Sequence, residues 1–328
     1  MTTRTHRRIG IGTAAALAAV LGLAAGQSAW AEDKYPSKTI EVVTHAGAGG
    51  GTDVTTRMMM LRARRTLKAD MVVVNKKGGG GAKAMNHFVT RPADGHTILA
   101  FTIGHAATVA KKKTKMTLGD IVPIARGTDD PQILMVNCKK SPYKSGKDFV
   151  EAQKTKQLSY GTTHVGGIDH ISAFMFTKRG GLKQPKIIPF KGGGELATNL
   201  VAGNVDVGVL NLAEASAQID SGDICPIVVL AKARMKPLPD VSTAKELGID
   251  VVFSTVRGFV THKGVAPEKV AVLEKGLMKA MNHKVYQAFL TSVGLDSSSV
   301  VGAKEWGEQI DVMLTDMSAA LKELGFVN

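Results

Sequence analysis

The sequence predicts an α/β fold in which mainly parallel sheets are flanked by helices. Segments rich in β-branched residues alternate with segments of helical character, and four strands run through a turn rich in glycine or small residues into a helix. In open α/β sheets such turns lie at the carboxyl ends of the strands, where ligands bind. With 328 residues the chain is long enough for two such domains, which would place several loops around one cleft.

In the first half of the chain the predicted strands are short runs rich in valine, isoleucine and threonine, and the predicted helices follow turns. The predicted strands are 39–44, 71–75, 96–102, 122–127 and 132–138. The predicted helices, some with their leading turns, are 53–67, 76–90, 103–110 and, behind a Ser145 cap, 146–156.

The second half repeats the alternation and ends in helices. The predicted strands are 158–162, 186–190, 205–211, 225–232 and 251–253, and 254–260 is expected to cross between the domains. The predicted helices, again with leading turns, are 163–179, 191–203, 212–222, 267–283, 284–294 and 303–325.

Residues 1–31 have the layout of a secretory signal peptide: a basic start, an apolar stretch and the small-residue site Ala29-Trp30-Ala31. We therefore expect cleavage near Ala31, rather than a retained membrane anchor, and a periplasmic mature protein. Arg7-Arg8 leaves both the general secretory route and the twin-arginine route open.

Without the three arginines of the leader the chain has 39 basic and 28 acidic residues, a net charge of +11. Aromatic residues are only 5% of the chain and do not interleave with the basic ones, so no nucleic-acid partner is expected. Cys138 and Cys225 are far apart in sequence, and an exported protein permits a disulfide without the sequence deciding whether it forms.

The glycine loop after the first strand favours an anion but not a nucleotide. Thr52-Asp53 stands where a Walker A loop needs Lys-Ser/Thr, and the third glycine of a dinucleotide motif is replaced by Thr52. Backbone N–H groups at a helix N-terminus bind anions, so the loop keeps that capacity. We expect Asp53 to cap the helix, and two alternatives stay open: it is purely a cap, or it also orients bound water or a ligand donor group. No cofactor is expected.

Four stretches of the mature chain resemble the substrate-binding proteins of tripartite tricarboxylate transporters, the Bug family. They are YPSKTIEVVTHAGAGGGTDVTTR, VVNKKGGGGAKAMNHFVTRPADGHTIL, LSYGTTHVGGIDHISAFMF and IIPFKGGGELATNLVAGNVDVGVLN. The late stretch RGFVTHKGVAPEKVAVLEKGL is also similar. The chain departs from the family at Thr44-His45, where the family usually has Pro-Phe or similar, and the loop is one residue longer.

The resemblance implies a two-domain clamshell of the type II periplasmic binding protein kind with two chain crossings, near 126–130 and 253–257. Domain 1 would comprise 32–128 and 255–328, and domain 2 would comprise 129–254. The resemblance also implies a small organic carboxylate ligand, held by loop backbone, hydroxyls and water between 46–53 and 162–167. Membrane transporter subunits would be the partners of a monomeric binding protein.

The candidate ligand-binding residues lie at strand ends and helix starts. Thr162 and Thr163 offer hydroxyls, Lys191 offers charge, and Arg257 offers either a bidentate carboxylate contact or a hinge salt bridge. The full set is Ala46, Gly47, Gly50, Gly51, Thr52, Asp53, Gly104, His105, Thr162, Thr163, Val165, Gly166, Gly167, Lys191, Gly192, Gly193, Asn211 and Arg257.

Catalysis and metal binding lack sequence support. His164, Asp169 and His170 match no metal-binding spacing, and the nucleophile motif G-x-S-x-G is absent. We therefore predict no enzyme and no metal site. The alternatives left open are a ligand sensor that feeds a membrane receptor and, less favoured, an exported α/β enzyme.

Overall fold

The computed structural model describes residues 1–2, 35–163 and 165–327. Nearly all of the predicted leader, with its cleavage site at Ala31, lies outside the described residues, as does His164. The described part of the chain forms two β-sheets flanked by helices, which confirms the predicted α/β fold.

The helices and strands follow each other in the predicted alternation. The strands of the described residues are β1 (Ile40–Thr44), β2 (Met71–Asn75), β3 (Thr97–Thr102), β4 (Ile121–Pro131), β5 (Ile133–Asn137), β6 (Ser159–Thr162), β7 (Lys186–Pro189), β8 (Val207–Leu210), β9 (Ile224–Val229), β10 (Ser254–His262) and β11 (Val301–Gly302). Their α-helices are α1 (Gly51–Leu67), α2 (Ala82–Val89), α3 (Ile103–Ala110), α4 (Gly146–Gln153), α5 (Ile168–Arg179), α6 (Gly193–Ala202), α7 (Ser216–Asp220), α8 (Pro267–Met281), α9 (Lys284–Ser292) and α10 (Ala303–Glu323).

Both sheets are mixed. The first has the order β11-β4-β10-β3-β1-β2, with β1 parallel to β2 and β3, and with β4, β10 and β11 paired antiparallel. The second has the order β7-β6-β8-β5-β9, with β6 parallel to β7 and β8 and with β5 antiparallel to β8 and β9. The sheets are thus less parallel than predicted, because β10 and β11 in the first sheet and β5 in the second run antiparallel to their neighbours.

Helix α1 is fixed on the first sheet by its apolar face. Met59 and Ala63 are fully buried in the same core cluster as Ile40 and Val42 of β1. Helix α8 packs beside α1, and a Cβ at Gly276 would overlap the side chain of Leu67. This packing holds the N-terminus of α1 at the carboxyl end of β1.

Strands β4 and β10 pair with each other as they connect the two sheets. The chain passes into the second sheet at Gln132, whose N–H donates to the carbonyl of Phe253 at 2.9 Å. The Gln132 carbonyl in turn accepts from Leu230 N–H at 2.9 Å. The two passages lie at Gln132 and Phe253, and the predicted crossings near 126–130 and 253–257 stay predictions. The predicted domain boundaries stay predictions.

A disulfide joins Cys138 to Cys225, with the Cα atoms 5.1 Å apart. It ties the end of β5 to the neighbouring strand β9, in which Cys225 lies opposite Val136. The structure thus decides a pairing that the sequence left open.

Two predicted elements differ from the structure. The predicted helix 212–222 is a 3-10 turn at Leu212–Glu214 followed by the short α7. The Asn211 and Glu214 side chains form a capping box for the turn, and the helix is interrupted at Ala215, whose φ of −126° is not helical. The predicted strand 251–253 is irregular, since Phe253 N–H donates to Leu230 at the passage between the sheets.

Candidate functional site

The predicted ligand loops lie where strands end and helices begin. Gly50, Gly167 and Gly192 are the N-cap residues of α1, α5 and α6. Because glycine has no side chain, none of these helix starts is capped by a side-chain hydrogen bond from its N-cap residue. Within the described residues, the N–H groups of Gly51 and Thr52 have no hydrogen-bond acceptor. These helix starts therefore present backbone donors and the positive end of a helix dipole.

The carboxylate of Asp53 holds the first glycine loop in place. It accepts from Gly49 N–H at 2.9 Å, from Arg57 at 2.8 and 3.0 Å, and from Asn75 Nδ2 at 2.9 Å. The hydrogen bond from Arg57 is the main cause that lowers its pKa to about 2, against the opposing effect of burial. Asp53 is the third residue of α1 rather than its N-cap, and its oxygens face donors of the protein.

Sequence reasoning missed two residues that shape this loop. The side-chain amide of Asn75, at the end of β2, also donates to the Ala46 carbonyl at 2.9 Å. Lys77 lies along Gly47, where a Cβ would be 3.2 Å from Lys77 Cδ. The signal available in the sequence was the position of both residues directly at a strand end, beside the first loop in a parallel pair.

Two histidines meet beneath the first loop. The His45 ring stands edge-on to the ring of His105, with 4.4 Å between their centroids. His105 Nδ1 accepts from Thr102 N–H at 3.0 Å, which fixes the start of α3. Burial lowers the pKa of both imidazoles, and the charge of Arg257 lowers that of His45 further. Both rings are therefore neutral at pH 7.

Arg257 reaches from β10 to the start of α1. A Cβ at Gly51 would be 3.0 Å from Arg257 Nη2. Among the described residues the guanidinium forms no hydrogen bond and no ion pair, so the hinge salt bridge is not formed there. The structure thus brings a partly exposed cation and the free N–H groups of α1 together.

The second-sheet loop after β6 supplies buried polar groups and an exposed tip. The Thr162 hydroxyl is buried, with no hydrogen-bond partner among the described residues. Thr163 donates its N–H and its hydroxyl to Asp169. Gly166 N–H donates to His170 at 2.9 Å, whereas the side chain of Val165 is 57% exposed.

The loop before α6 contributes backbone rather than charge. The Lys191 side chain is exposed, and its N–H donates to Glu195 at 2.9 Å. A Cβ at Gly193 would overlap the Glu214 carboxyl, so glycine is required for this approach. Glu214 brings a negative charge to this helix start, and burial raises its pKa.

Asn211 and Gly104 have structural bonds at the site. Asn211 Nδ2 donates to the carbonyls of Asp130 and Pro131 at 2.9 and 3.0 Å, and Asn211 Oδ1 accepts from Thr255 at 3.2 Å. These bonds clamp the passage between the sheets, so the side chain is not free for a ligand. The Gly104 carbonyl accepts from Thr108 inside α3.

The described part of the chain meets neither the requirements of a metal site nor those of a membrane-spanning helix. It contains no group of three or more His, Cys, Asp or Glu placed to hold a metal ion. It also contains no helix long and apolar enough to cross a membrane. Two surface cavities, of about 250 and 290 Å³, are lined by residues outside the glycine loops.

The geometry agrees with known solute-binding proteins. A TctC solute-binding protein from Polaromonas, solved without ligand, superposes with a TM-score of 0.82 at 26% identity, covering 88% of this chain and 99% of that one. MatC from Rhodopseudomonas palustris, solved with bound malate, has the same fold at 23% identity and a TM-score of 0.67, covering 88% and 100%.

Sequence relatives agree as well. Protein BugT of Bordetella pertussis is 28% identical over 280 residues, which cover 83% of this chain and 84% of that protein. A UPF0065 protein of the gbd 5′ region in Cupriavidus necator is 27% identical over 300 residues, 89% of each chain. The model of the tripartite tricarboxylate transporter family receptor matches residues 55–312, and the chain therefore belongs to this family.

Proposed function

We propose that this protein is an exported solute-binding protein that captures a small organic carboxylate between two α/β domains. Domain 1 would comprise 32–128 and 255–328, and domain 2 would comprise 129–254. The closed form would deliver the ligand to a membrane transporter of the tripartite tricarboxylate type, without catalysis. The observation that carries the proposal is Arg257, which lies at the start of α1 without an ion-pair partner in the described structure.

The first domain would bind one ligand carboxylate through a positively charged side chain and backbone N–H groups. The guanidinium of Arg257 and the N–H groups of Gly51 and Thr52 are donors of the kind that carboxylates accept. Asp53 would act behind them, because its oxygens already accept from Gly49, Arg57 and Asn75.

The second domain would close over the ligand with the loop after β6 and the start of α6. The buried hydroxyl of Thr162 would form a hydrogen bond with the ligand. The helices behind Gly167 and Gly192 have no side-chain cap, so their first backbone N–H groups would be donors to the ligand. A ligand held from both sides favours the closed state by its extra contacts there. The malate-bound MatC structure shows that this fold admits a carboxylate.

Thermal unfolding of the mature protein, residues 32–328, tests the proposal. We expect a di- or tricarboxylate or an aromatic acid to raise the Tm by a few degrees, because a ligand at 100 times its Kd stabilises by about 2.7 kcal/mol. ATP is expected to leave the Tm unchanged. A Tm raised by ATP and by none of the acids would refute the proposal.

A pair of arginine variants locates the site. Arg257→Gln is expected to weaken binding of the active acid roughly 10- to 100-fold. Arg234→Gln removes an equal charge from a partly exposed pair with Glu246 and is expected to keep wild-type affinity. Equal losses in the two variants would show that Arg257 contributes only to net charge.

A further inference from the structure

One face of the β4–β10 ribbon carries polar side chains beside Arg257. Thr128 lies opposite Arg257, and Asp130 lies opposite Thr255. Side chains two residues apart in a strand share a face, and so do directly opposed residues. These four side chains therefore lie on the same face of the ribbon, at the passage between the sheets.

Several atoms at this passage are buried without a partner. Asp130 Oδ1, Thr128 Oγ1 and Gln132 Oε1 have no hydrogen-bond partner among residues 35–163 and 165–327. Asp130 is 7% exposed, Thr128 is 1% exposed and Gln132 is fully buried. Buried polar atoms in native proteins are almost always satisfied, so these atoms mark a place for a bound polar group.

The charges near Asp130 are mostly negative. Burial is the main cause that raises its pKa to about 7; Arg257 opposes the shift, and the charges of Glu214 and Asp129 contribute to it. If a ligand carboxylate binds Arg257, the one cation acting on Asp130 is engaged elsewhere. A hydrogen-bond donor on the ligand would then replace the favourable interaction of Arg257 with the Asp130 carboxyl.

We propose, on the basis of the proposed function, that Asp130 forms a subsite for a hydrogen-bond donor on the ligand. The preferred ligands are acids that carry an ammonium or a hydroxyl group in addition to their carboxylates. One carboxylate binds at Arg257 and Gly51, and the donor group faces Asp130 Oδ1. An unsubstituted acid leaves this oxygen buried and unpaired, and sites with unpaired polar groups discriminate strongly.

Calorimetric titration with matched acids tests the subsite. One set is succinate, malate and aspartate, and a second set is glutarate, 2-hydroxyglutarate and glutamate. In at least one set the wild-type protein is expected to bind a substituted acid about 10- to 100-fold more tightly than the unsubstituted acid. Asp130→Leu, which removes both acceptor oxygens, is expected to reduce this ratio to within about threefold of one. Asp130→Asn keeps one acceptor oxygen and is expected to reduce the ratio for the ammonium acid.

The control is the neighbouring carboxylate on the opposite face. Asp129 pairs with Arg126 at 2.6 Å and faces Gln309 of α10. Asp129→Asn is therefore expected to keep the wild-type preference. Titrations in buffers of different ionisation enthalpy separate the two donors: an ammonium ligand favours the ionised Asp130 carboxylate and is expected to release more protons at pH 7 than the hydroxyl ligand of the same set.

The outcomes separate this subsite from the proposed function. If unsubstituted acids bind as tightly as their substituted partners, the subsite is refuted while carboxylate capture stands. The subsite is also refuted if folded Asp130→Leu keeps the preference, or if folded Asp130→Asn keeps the preference for the ammonium acid. If neither these acids nor any other carboxylate binds, the proposed function fails and the subsite with it.

Discussion

The guanidinium of Arg257 lies against Gly51, so closely that a Cβ on this glycine would be 3.0 Å from Nη2 and 3.4 Å from Cζ. The two residues are 206 positions apart in the chain, in β10 and at the first position of α1. Their approach places a positive charge at the helix start, where backbone N–H groups are unpaired, and both features favour an anion.

Gly51→Ala is expected to weaken acid binding about 5- to 50-fold with little loss of stability. The new methyl group displaces the flexible end of Arg257 from the helix start rather than the backbone. Since alanine favours helix over glycine by about 1 kcal/mol, the free energy of unfolding is expected to stay within about 1 kcal/mol of wild type. Titration with the acid that binds wild type, together with urea unfolding, measures both effects.

The control is Gly119→Ala, in the 3-10 turn Leu118–Asp120 and outside the proposed binding loops. A Cβ there meets only Thr117 Oγ1, at an ordinary contact distance of 3.4 Å. This variant is expected to bind like wild type, and an equal loss of affinity would show that the effect of Gly51→Ala does not come from Arg257.

Asp53→Asn is expected to destabilise the protein by about 2 kcal/mol. The new amide NH2 group would face at least one of the N–H donors that now bond to the carboxylate, and that donor would lose its acceptor. Urea unfolding at pH 7 measures the change. Asp70→Asn, at an exposed carboxylate, is the control and is expected to stay within about 0.5 kcal/mol of wild type.

The Asp53 effect has a defined pH dependence. The folded-state pKa is lowered to about 2, so the carboxylate stabilises the fold above about pH 4, and this contribution is lost as the pH falls toward 2. The difference between wild type and Asp53→Asn is therefore expected to narrow below pH 4. A difference that is constant from pH 7 to pH 3 would contradict the role of the charge.

For Asp130 we expect the opposite pH dependence of stability. Its folded-state pKa is raised to about 7, so between about pH 4 and 7 the folded protein keeps a proton that the unfolded chain has lost. Stability relative to Asp130→Asn is expected to fall as the pH rises through this window, by up to about 1.4 kcal/mol per pH unit. Urea unfolding of both proteins from pH 4.5 to 7.5 checks it, and parallel curves would exclude the raised pKa.

Removing the disulfide is expected to lower the free energy of unfolding by about 2–5 kcal/mol. Cys138 and Cys225 are 87 residues apart, and a cross-link over a long loop restricts the unfolded chain strongly. The double variant Cys138→Ser with Cys225→Ser, compared with wild type under oxidising and reducing conditions, provides the measurement. Reductant is expected to affect only the wild-type protein, and equal stability of the two oxidised proteins would contradict the prediction.

Local sequence determined the elements and the loops of the cleft. Valine-rich runs at β1 and β2 and the glycines before α1 predict strand, turn and helix from short-range preferences alone. The absence of a Walker lysine beside Asp53 excluded a nucleotide motif, and the ordered series of loop motifs indicated the family, which the match over residues 55–312 shows.

Only the tertiary structure decided which distant groups meet. Asn75 anchors the loop of Ala46 because β1 and β2 are parallel neighbours, and Asp130 lies beside Arg257 because β4 and β10 pair where the chain passes between the sheets. Asn211 was predicted to face the ligand, yet it clamps that passage. Such pairings depend on strand order and register, which are set by long-range packing of the whole chain rather than by the residues next to each site.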